Sequence, residues 1–193
     1  MNPPRADRLL CIRMTVFNGF KNDKILIVEA YNMKLQPLFE MQKSLDTYIQ
    51  AEKEISRDVF LEKGLALLVE LAELANETRC FKFWSSKGPS EKEVILEEYV
   101  DSIHFLLSLG NEMNLDDLEL WPVDHPEESL TLLFLHTHSS VNQFLLEPTK
   151  ENYEDIWSWY GSVATNLGFT HEQIIQAYLD KNEKNYERQR SGY

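Results

Sequence analysis

The chain has 193 residues, of which 43% are hydrophobic and 26% are charged, and this composition excludes a disordered or fibrous protein. Its formal net charge of −13 repels phosphate backbones, so a nucleic-acid partner is not expected. No apolar run reaches the length of about 18 residues that a membrane span needs. Cys11 and Cys80 form neither a disulfide framework nor a metal-ligand pattern, so we expect a cytoplasmic protein.

The first 32 residues differ from the rest of the chain because they lack amphipathic periodicity. Arg13 interrupts their early apolar run, so a signal peptide is not predicted. One hypothesis is that Met33 is the true initiator, since residues 28–30 can be encoded by codons that contain a GGAGG ribosome-binding element. The alternative is a short genuine extension. In both cases residues 33–193 are predicted to form the folded domain.

Downstream of Met33 the hydrophobic periodicity predicts helices joined by short connections, and hence an all-α antiparallel helical bundle. The predicted helices cover about residues 35–53, 57–78, 90–110, 124–146, 151–167 and 170–190. Their expected boundary signals are Pro37 in a first turn, Pro148 and Gly168 after helix ends, and three capping pairs: Ser90 with Glu93, Asp124 with Glu127, and Thr170 with Gln173. The apolar helices at 130–146 and 155–167 are candidates for a dimer interface.

Two of these helices carry carboxylates inside otherwise apolar runs. Glu70 and Glu73 lie three residues apart on the second helix, and Glu98 and Asp101 repeat that spacing on the third. Residues three apart share one helix face, and two antiparallel helices joined by a short loop can bring the two pairs together.

Four converging carboxylates need a cation, because like charges and desolvation raise one another's pKa values. Oxygen ligands suit Mg²⁺, with Mn²⁺ as an alternative, and such ions activate water and neutralise phosphate charge. A purely solvated helix face is the simpler interpretation of either pair alone. A di-iron bundle is another alternative, because His104 follows Asp101 by three residues, although no second motif of that kind matches it.

The ordered pattern of Glu-x-x-Glu on one helix and Glu-x-x-Asp on the next resembles the all-α, MazG-like nucleotide pyrophosphohydrolases. Two further stretches resemble the dimeric dUTP diphosphatases of that superfamily. One is Phe-Lys-Phe-Trp-Ser at residues 81–85, and the other is the C-terminal Lys-Asn-x-x-Asn-x-x-Arg-Gln-x-x-Gly-Tyr at residues 181–193. The resemblance covers roughly residues 35–193.

The resemblance implies Mg²⁺-dependent hydrolysis of dUTP to dUMP and pyrophosphate, which keeps uracil out of DNA and supplies dUMP. It implies that Glu70, Glu73, Glu98 and Asp101 hold the metal, that water attacks the α-phosphorus, and that Glu73 or Glu70 orients or deprotonates this water. It also implies a homodimer. The implied substrate contacts are Gln42, Lys82, Trp84, Lys181, Asn182, Asn185 and Arg188.

Several of these residues have simpler interpretations. Trp84 can be a core residue, His104 is expected to be packed rather than a ligand, and Lys181 and Arg188 can complement the dipole at a helix C-terminus. Two other functions also remain open: a pyrophosphohydrolase of broader nucleotide specificity, and a helical protein that is non-catalytic or holds two metal ions for another purpose.

Overall fold

A computed structural model describes residues 34–118, 121 and 129–192. Within these residues the chain forms six helices and no strand. They are α1 (Gln36–Glu52), α2 (Phe60–Thr78), α3 (Lys92–Glu112), α4 (Leu130–Leu146), α5 (Lys150–Leu167) and α6 (His171–Arg190). The prediction of an all-α bundle is therefore confirmed.

Helix α3 lies at the centre of the bundle and contacts α1, α2 and α6, while α4 and α5 pair with each other. Its buried face explains this position, because Tyr99, Val100, Ile103, Leu106 and Leu107 are all inaccessible to solvent. Burial of large apolar side chains of this kind is the main stabilising contribution in a helical domain. The central position also means that side chains of α3 can meet residues from the first and the last helix of the described chain.

Several helix ends agree with their sequence signals. Pro37 stands in the first turn of α1, and Gly168 ends α5 in the left-handed conformation with φ of 68°. Thr170 and Gln173 form a complete capping box at the start of α6. Each of these signals acts within a few residues, which is why the sequence alone was sufficient.

Other predicted boundaries differ from the structure. Helix α3 begins at Lys92 without a side-chain cap, and the predicted Ser90–Glu93 capping box is wrong because the Ser90 hydroxyl donates to the Glu77 carboxylate instead. Helix α2 begins at Phe60 rather than near residue 57. The proposed cap formed by Asp124 and Glu127 lies outside the described residues, and Ser129 caps α4. Similarly, everything predicted for residues 1–32 lies outside them.

A close approach between helices makes Gly110 of α3 a sensitive position. A Cβ atom there would lie 2.6 Å from Cζ of Tyr153 and 2.9 Å from Cε1 of Phe39. Both rings are buried, and the Tyr153 hydroxyl donates to the Leu106 carbonyl at 2.9 Å, so neither ring can move away easily.

We therefore expect Gly110→Ala to lower the free energy of unfolding by about 2 kcal/mol, because the overpacking exceeds the helix propensity that alanine gains. Urea unfolding would measure the difference. Gly64→Ala is the matched control, since the nearest atoms there belong to the more adaptable Leu145 side chain and a smaller loss is expected. A Gly110→Ala protein as stable as the native one would contradict the packing argument.

Candidate active site

Three carboxylates from two adjacent helices converge at one edge of the bundle. Glu70 and Glu73 of α2 and Glu98 of α3 each place a carboxylate oxygen within 4.8 Å of the others. Buried Leu67, Leu71 and Leu74 hold the neighbouring face of α2 in the core, so the two glutamates emerge beside α3. This cluster contains only oxygen donors, and it is the one group of its kind in the described part of the chain.

The fourth predicted carboxylate lies outside this cluster and has a different partner. Asp101 Oδ2 accepts a hydrogen bond from Lys181 Nζ at 2.6 Å, and the same ammonium group lies 3.2 Å from Glu97 Oε1. Lys181 is nearly buried in the middle of α6, and the interpretation that it complements a helix dipole is therefore wrong for this residue.

The pKa values of two of the clustered carboxylates are raised, as the sequence pattern predicts. Burial raises the pKa of Glu70 to about 7, and the charges of Asp101, Glu73 and Glu98 contribute to this shift. Burial also raises the pKa of Glu98, as do Asp101 and Glu73. A hard divalent cation relieves such repulsion, so the donor set fits Mg²⁺ or Mn²⁺. No histidine belongs to the cluster in the described residues, which disfavours the di-iron alternative.

A pocket of about 320 Å³ lies against these carboxylates, because Glu70 and Asp101 form part of its wall. The pocket has both polar and apolar lining residues, and its polar residues come from α1, α2, α3 and α6. The polar lining comprises Gln42, Asp46, Gln50, Lys63, Glu70, Asp101, His104, Ser108, Lys181, Asn185 and Arg188. The apolar lining comprises Leu45, Ile49, Ile55, Val59 and Phe105. A pocket with an apolar wall and convergent polar groups is typical of a small-molecule site.

The family of the chain is shown by its match to a known protein family. A family model described as dUTPase matches residues 34–193, which is most of the chain. The chain belongs to the dUTPase family. It is therefore a hydrolase with dUTP diphosphatase activity, and members of this all-α family generally use a divalent metal. A search of curated proteins found no match.

Within this dUTPase, most of the predicted substrate contacts reach the pocket. Gln42, Lys181, Asn185 and Arg188 line it, and the last three share one face of α6 as their spacing predicts. Asn182 is buried on the same helix, and its amide nitrogen has no hydrogen-bond partner among the described residues.

Two predicted contacts lie elsewhere in the dUTPase. Trp84 is 65% exposed on the loop after α2, so its interpretation as a core residue is wrong. It packs edge-on against Phe81 and Phe83 in a small aromatic cluster. Lys82, on the same loop, donates to the side chain of Asn76. Neither residue belongs to the lining of the pocket, and their contacts with substrate remain predictions.

Lys63, which was not among the predicted site residues, also lines the pocket and lies beside Asp46 and Glu112. Its ammonium group is 2.6 Å from Glu112 Oε2 and 3.6 Å from Asp46 Oδ2. A signal was present, because Lys63 and Glu70 are seven residues apart on α2 and therefore share a face.

Helix α1 contributes a buried hydrogen-bond network centred on Gln42, which is only 4% exposed. Gln42 Oε1 lies 2.8 Å from His104 Nδ1 and accepts from the Tyr178 hydroxyl at 3.0 Å. Its Nε2 donates to Asp46 Oδ1 at 2.7 Å. The prediction that His104 is packed rather than a metal ligand agrees with this network, and its ring also stacks on Tyr178 with 4.3 Å between centroids.

His104 should make the dUTPase sensitive to mild acid. Burial lowers the pKa of His104 to about 3, and the charge of Lys181 adds to this shift. Below the usual pKa of about 6.5 the unfolded chain binds a proton that the folded chain does not, so stability is lost as the pH falls.

We expect this single group to lower the free energy of unfolding by about 2 kcal/mol between pH 7 and about pH 5. His104→Asn keeps a donor for Gln42 and removes the titrating ring. Urea unfolding of both proteins at the two pH values isolates the contribution, since all other groups are shared. An equal pH dependence in both proteins would contradict the prediction.

Proposed function

We propose that this chain hydrolyses dUTP to dUMP and pyrophosphate in a Mg²⁺-dependent reaction, with water attacking the α-phosphorus. The observation that carries the proposal is the convergence of Glu70, Glu73 and Glu98 beside a pocket whose wall includes Glu70 and Asp101. These four carboxylates are the proposed metal ligands. Mn²⁺ has the same preference for oxygen ligands and should substitute for Mg²⁺.

The roles of the chain's own residues follow from their exposure and charge. When bound, the metal neutralises phosphate charge and makes a water molecule easier to deprotonate. Glu73 is the solvent-exposed member of the cluster and is the proposed group that accepts the proton of the attacking water. Glu70 is half-buried against the pocket and is proposed to orient that water. Positioning and charge neutralisation supply most of the rate enhancement in phosphate displacement.

The α6 face is the proposed site for the triphosphate. Lys181 and Arg188 bring positive charge to the pocket wall, and Asn185 lies between them on the same face. Ammonium and guanidinium groups are the usual partners of phosphate oxygens. Asn182 is buried, its amide nitrogen has no hydrogen-bond partner among the described residues, and it is proposed to bind the base or sugar of the same substrate.

Gln42 and the apolar lining of the pocket are the proposed site for the uracil base and deoxyribose. Gln42 supplies an amide for the uracil edge, and the apolar wall suits a sugar that lacks a 2′-hydroxyl. Lys82 and Trp84 are also proposed to contact the substrate, because their loop directly follows α2, the helix that carries Glu70 and Glu73.

The test is product formation from dUTP, dCTP, dTTP and UTP in Mg²⁺, with phosphorus NMR to identify the leaving group. Selective conversion of dUTP to dUMP and pyrophosphate, abolished by EDTA and restored by Mg²⁺, is the expected result. Equal turnover of all four nucleotides would instead indicate a pyrophosphohydrolase of broader specificity. Full activity in EDTA would contradict the proposed role of the metal.

We also propose that the chain forms a homodimer through α2 and α4. Leu61, Leu65 and Val69 are exposed along α2, and Leu132 and Leu135 are exposed on the neighbouring α4. Several large apolar side chains exposed on adjacent helices are typical of a subunit interface. The other candidate, residues 155–167, is less suitable because most of the large side chains of α5 are buried within the chain.

Light scattering after size-exclusion chromatography tests the assembly. A dimer is expected for the native chain, and Leu135→Glu should shift it towards the monomer, whereas the exposed Asn142→Glu on the same helix should not. A monomeric native chain would contradict the proposal.

Residues 33–193 are the proposed domain, in a cytoplasmic protein. The N-terminal mass of the natural protein would test whether translation starts at Met33. None of the helices in the described residues is long and apolar enough to cross a membrane.

A further inference from the structure

The amide orientation of Gln42 is fixed by its neighbour Asp46. The Asp46 carboxylate accepts from the Ser108 hydroxyl and lies 3.6 Å from the Lys63 ammonium group, so it can only act as an acceptor towards Gln42. The Gln42 amide nitrogen must therefore face Asp46, at 2.7 Å. The reversed amide would place two oxygens against each other.

This orientation in turn fixes the tautomer of His104. The Gln42 carbonyl oxygen faces His104 Nδ1 at 2.8 Å, and two acceptors cannot share a hydrogen bond, so Nδ1 carries the proton. Burial keeps the ring neutral, since it lowers the pKa of His104 to about 3. His104 Nε2 is consequently an unprotonated acceptor.

No residue of the described chain uses that acceptor. His104 Nε2 is buried and has no hydrogen-bond partner among the described residues, although His104 lines the pocket. A buried polar atom without a partner is costly, and in a binding site it indicates that a ligand supplies the missing group. The missing group here must be a hydrogen-bond donor.

We infer that His104 is a specificity-determining residue that accepts a hydrogen bond from the N3–H of uracil through Nε2, with its tautomer set by Asp46 through Gln42. The inference rests on the proposed function, because it assumes that the base occupies this pocket. Uracil presents a donor at N3, whereas cytosine presents an acceptor there. The same nitrogen would therefore attract uracil and repel cytosine, and an unmatched buried polar group discriminates strongly between ligands.

The first test reads the tautomer directly in the full-length protein. Long-range proton–nitrogen NMR of ¹⁵N-histidine-labelled protein should show Nδ1 protonated and Nε2 unprotonated for the resonance that disappears in His104→Asn. The opposite tautomer would overturn the inference whatever the activity of the enzyme.

The second test compares kcat/KM for dUTP with kcat/KM for dCTP. His104→Asn keeps the donor to Gln42 but does not reach the position of Nε2, so the preference for dUTP should fall about 10- to 100-fold. Asp46→Asn should also lower the preference for dUTP over dCTP. With asparagine at this position the Gln42 amide can reverse, and His104 can then carry its proton on Nε2. Protonated Nε2 is a donor that suits cytosine, so kcat/KM for dCTP should rise. Tyr178→Phe is the matched control: it removes the second donor to Gln42 yet leaves Asp46 in place, so the preference should persist.

The outcomes of these tests distinguish a failure of the proposed function from a failure of the inference about His104. If the native enzyme prefers dUTP and both folded variants keep that preference, the inference about His104 is wrong while the proposed function stands. If the native enzyme shows no preference between the two nucleotides, the proposed uracil selection and the inference fail together. Should His104→Asn not fold, the effect of Asp46→Asn on the preference for dUTP over dCTP still decides the question.

Discussion

Glu73→Gln should lower kcat for dUTP hydrolysis by about 10³-fold, which is the range for losing a catalytic base or a ligand that stabilises developing charge. An amide cannot accept the proton of the attacking water and binds a divalent cation weakly. Because Glu73 is exposed, the substitution removes no packing, and the variant should unfold at nearly the same urea concentration as the native protein.

Glu93→Gln is the matched control, since Glu93 is an exposed glutamate in the first turn of α3 and lies outside the carboxylate cluster. Its turnover should equal that of the native enzyme. A Glu73→Gln protein that retains more than about a tenth of the native kcat would mean that Glu73 is neither the base nor an essential ligand.

Tyr160→Ala should lower the free energy of unfolding by about 3–5 kcal/mol, a large part of the stability of an ordinary domain. Tyr160 of α5 and Tyr99 of α3 stack in parallel, with 4.3 Å between ring centroids, and both are fully buried. Each hydroxyl donates to the other residue's carbonyl, at 2.6 Å from Tyr160 and 3.0 Å from Tyr99. Burial raises the pKa of both hydroxyls well above the usual value, so both remain donors.

Comparison with Tyr160→Phe separates the contribution of the Tyr160 ring to stability from that of its hydroxyl group. Phenylalanine retains the stacked ring and loses one hydrogen bond, so its free energy of unfolding should fall by only about 1–2 kcal/mol. Urea unfolding measures both variants. Since Tyr99 directly follows Glu98, Tyr160→Ala should also weaken turnover by loosening the carboxylate helix. Equal losses for the alanine and phenylalanine variants would show that packing of the ring contributes little.

The sequence by itself determined the helices and the carboxylate pairs. Periodic apolar residues specify which face of each helix is buried, and caps such as Thr170 with Gln173 act within one turn, so both can be recognised without knowledge of the fold. Glu70 and Glu73 stand out in the sequence because a three-residue spacing inside an apolar run puts two charges at the edge of a buried face. The C-terminal motif likewise pointed to the dUTPase family.

The tertiary structure alone decided which partners these residues meet. Asp101 accepts a hydrogen bond from Lys181, eighty residues away in sequence, a partner that its spacing on α3 does not reveal. Ser90 matched a local capping pattern, but Glu77 across the loop binds its hydroxyl.

The hydrogen bonds of His104 likewise could not be predicted from the sequence. Its tautomer depends on Gln42 and Asp46, which come from α1. Spacing along a helix fixes the direction of a side chain relative to its own helix, whereas a hydrogen bond between helices depends on how those helices pack. That packing is set by the whole core, and so the chemistry of the pocket follows from the tertiary structure.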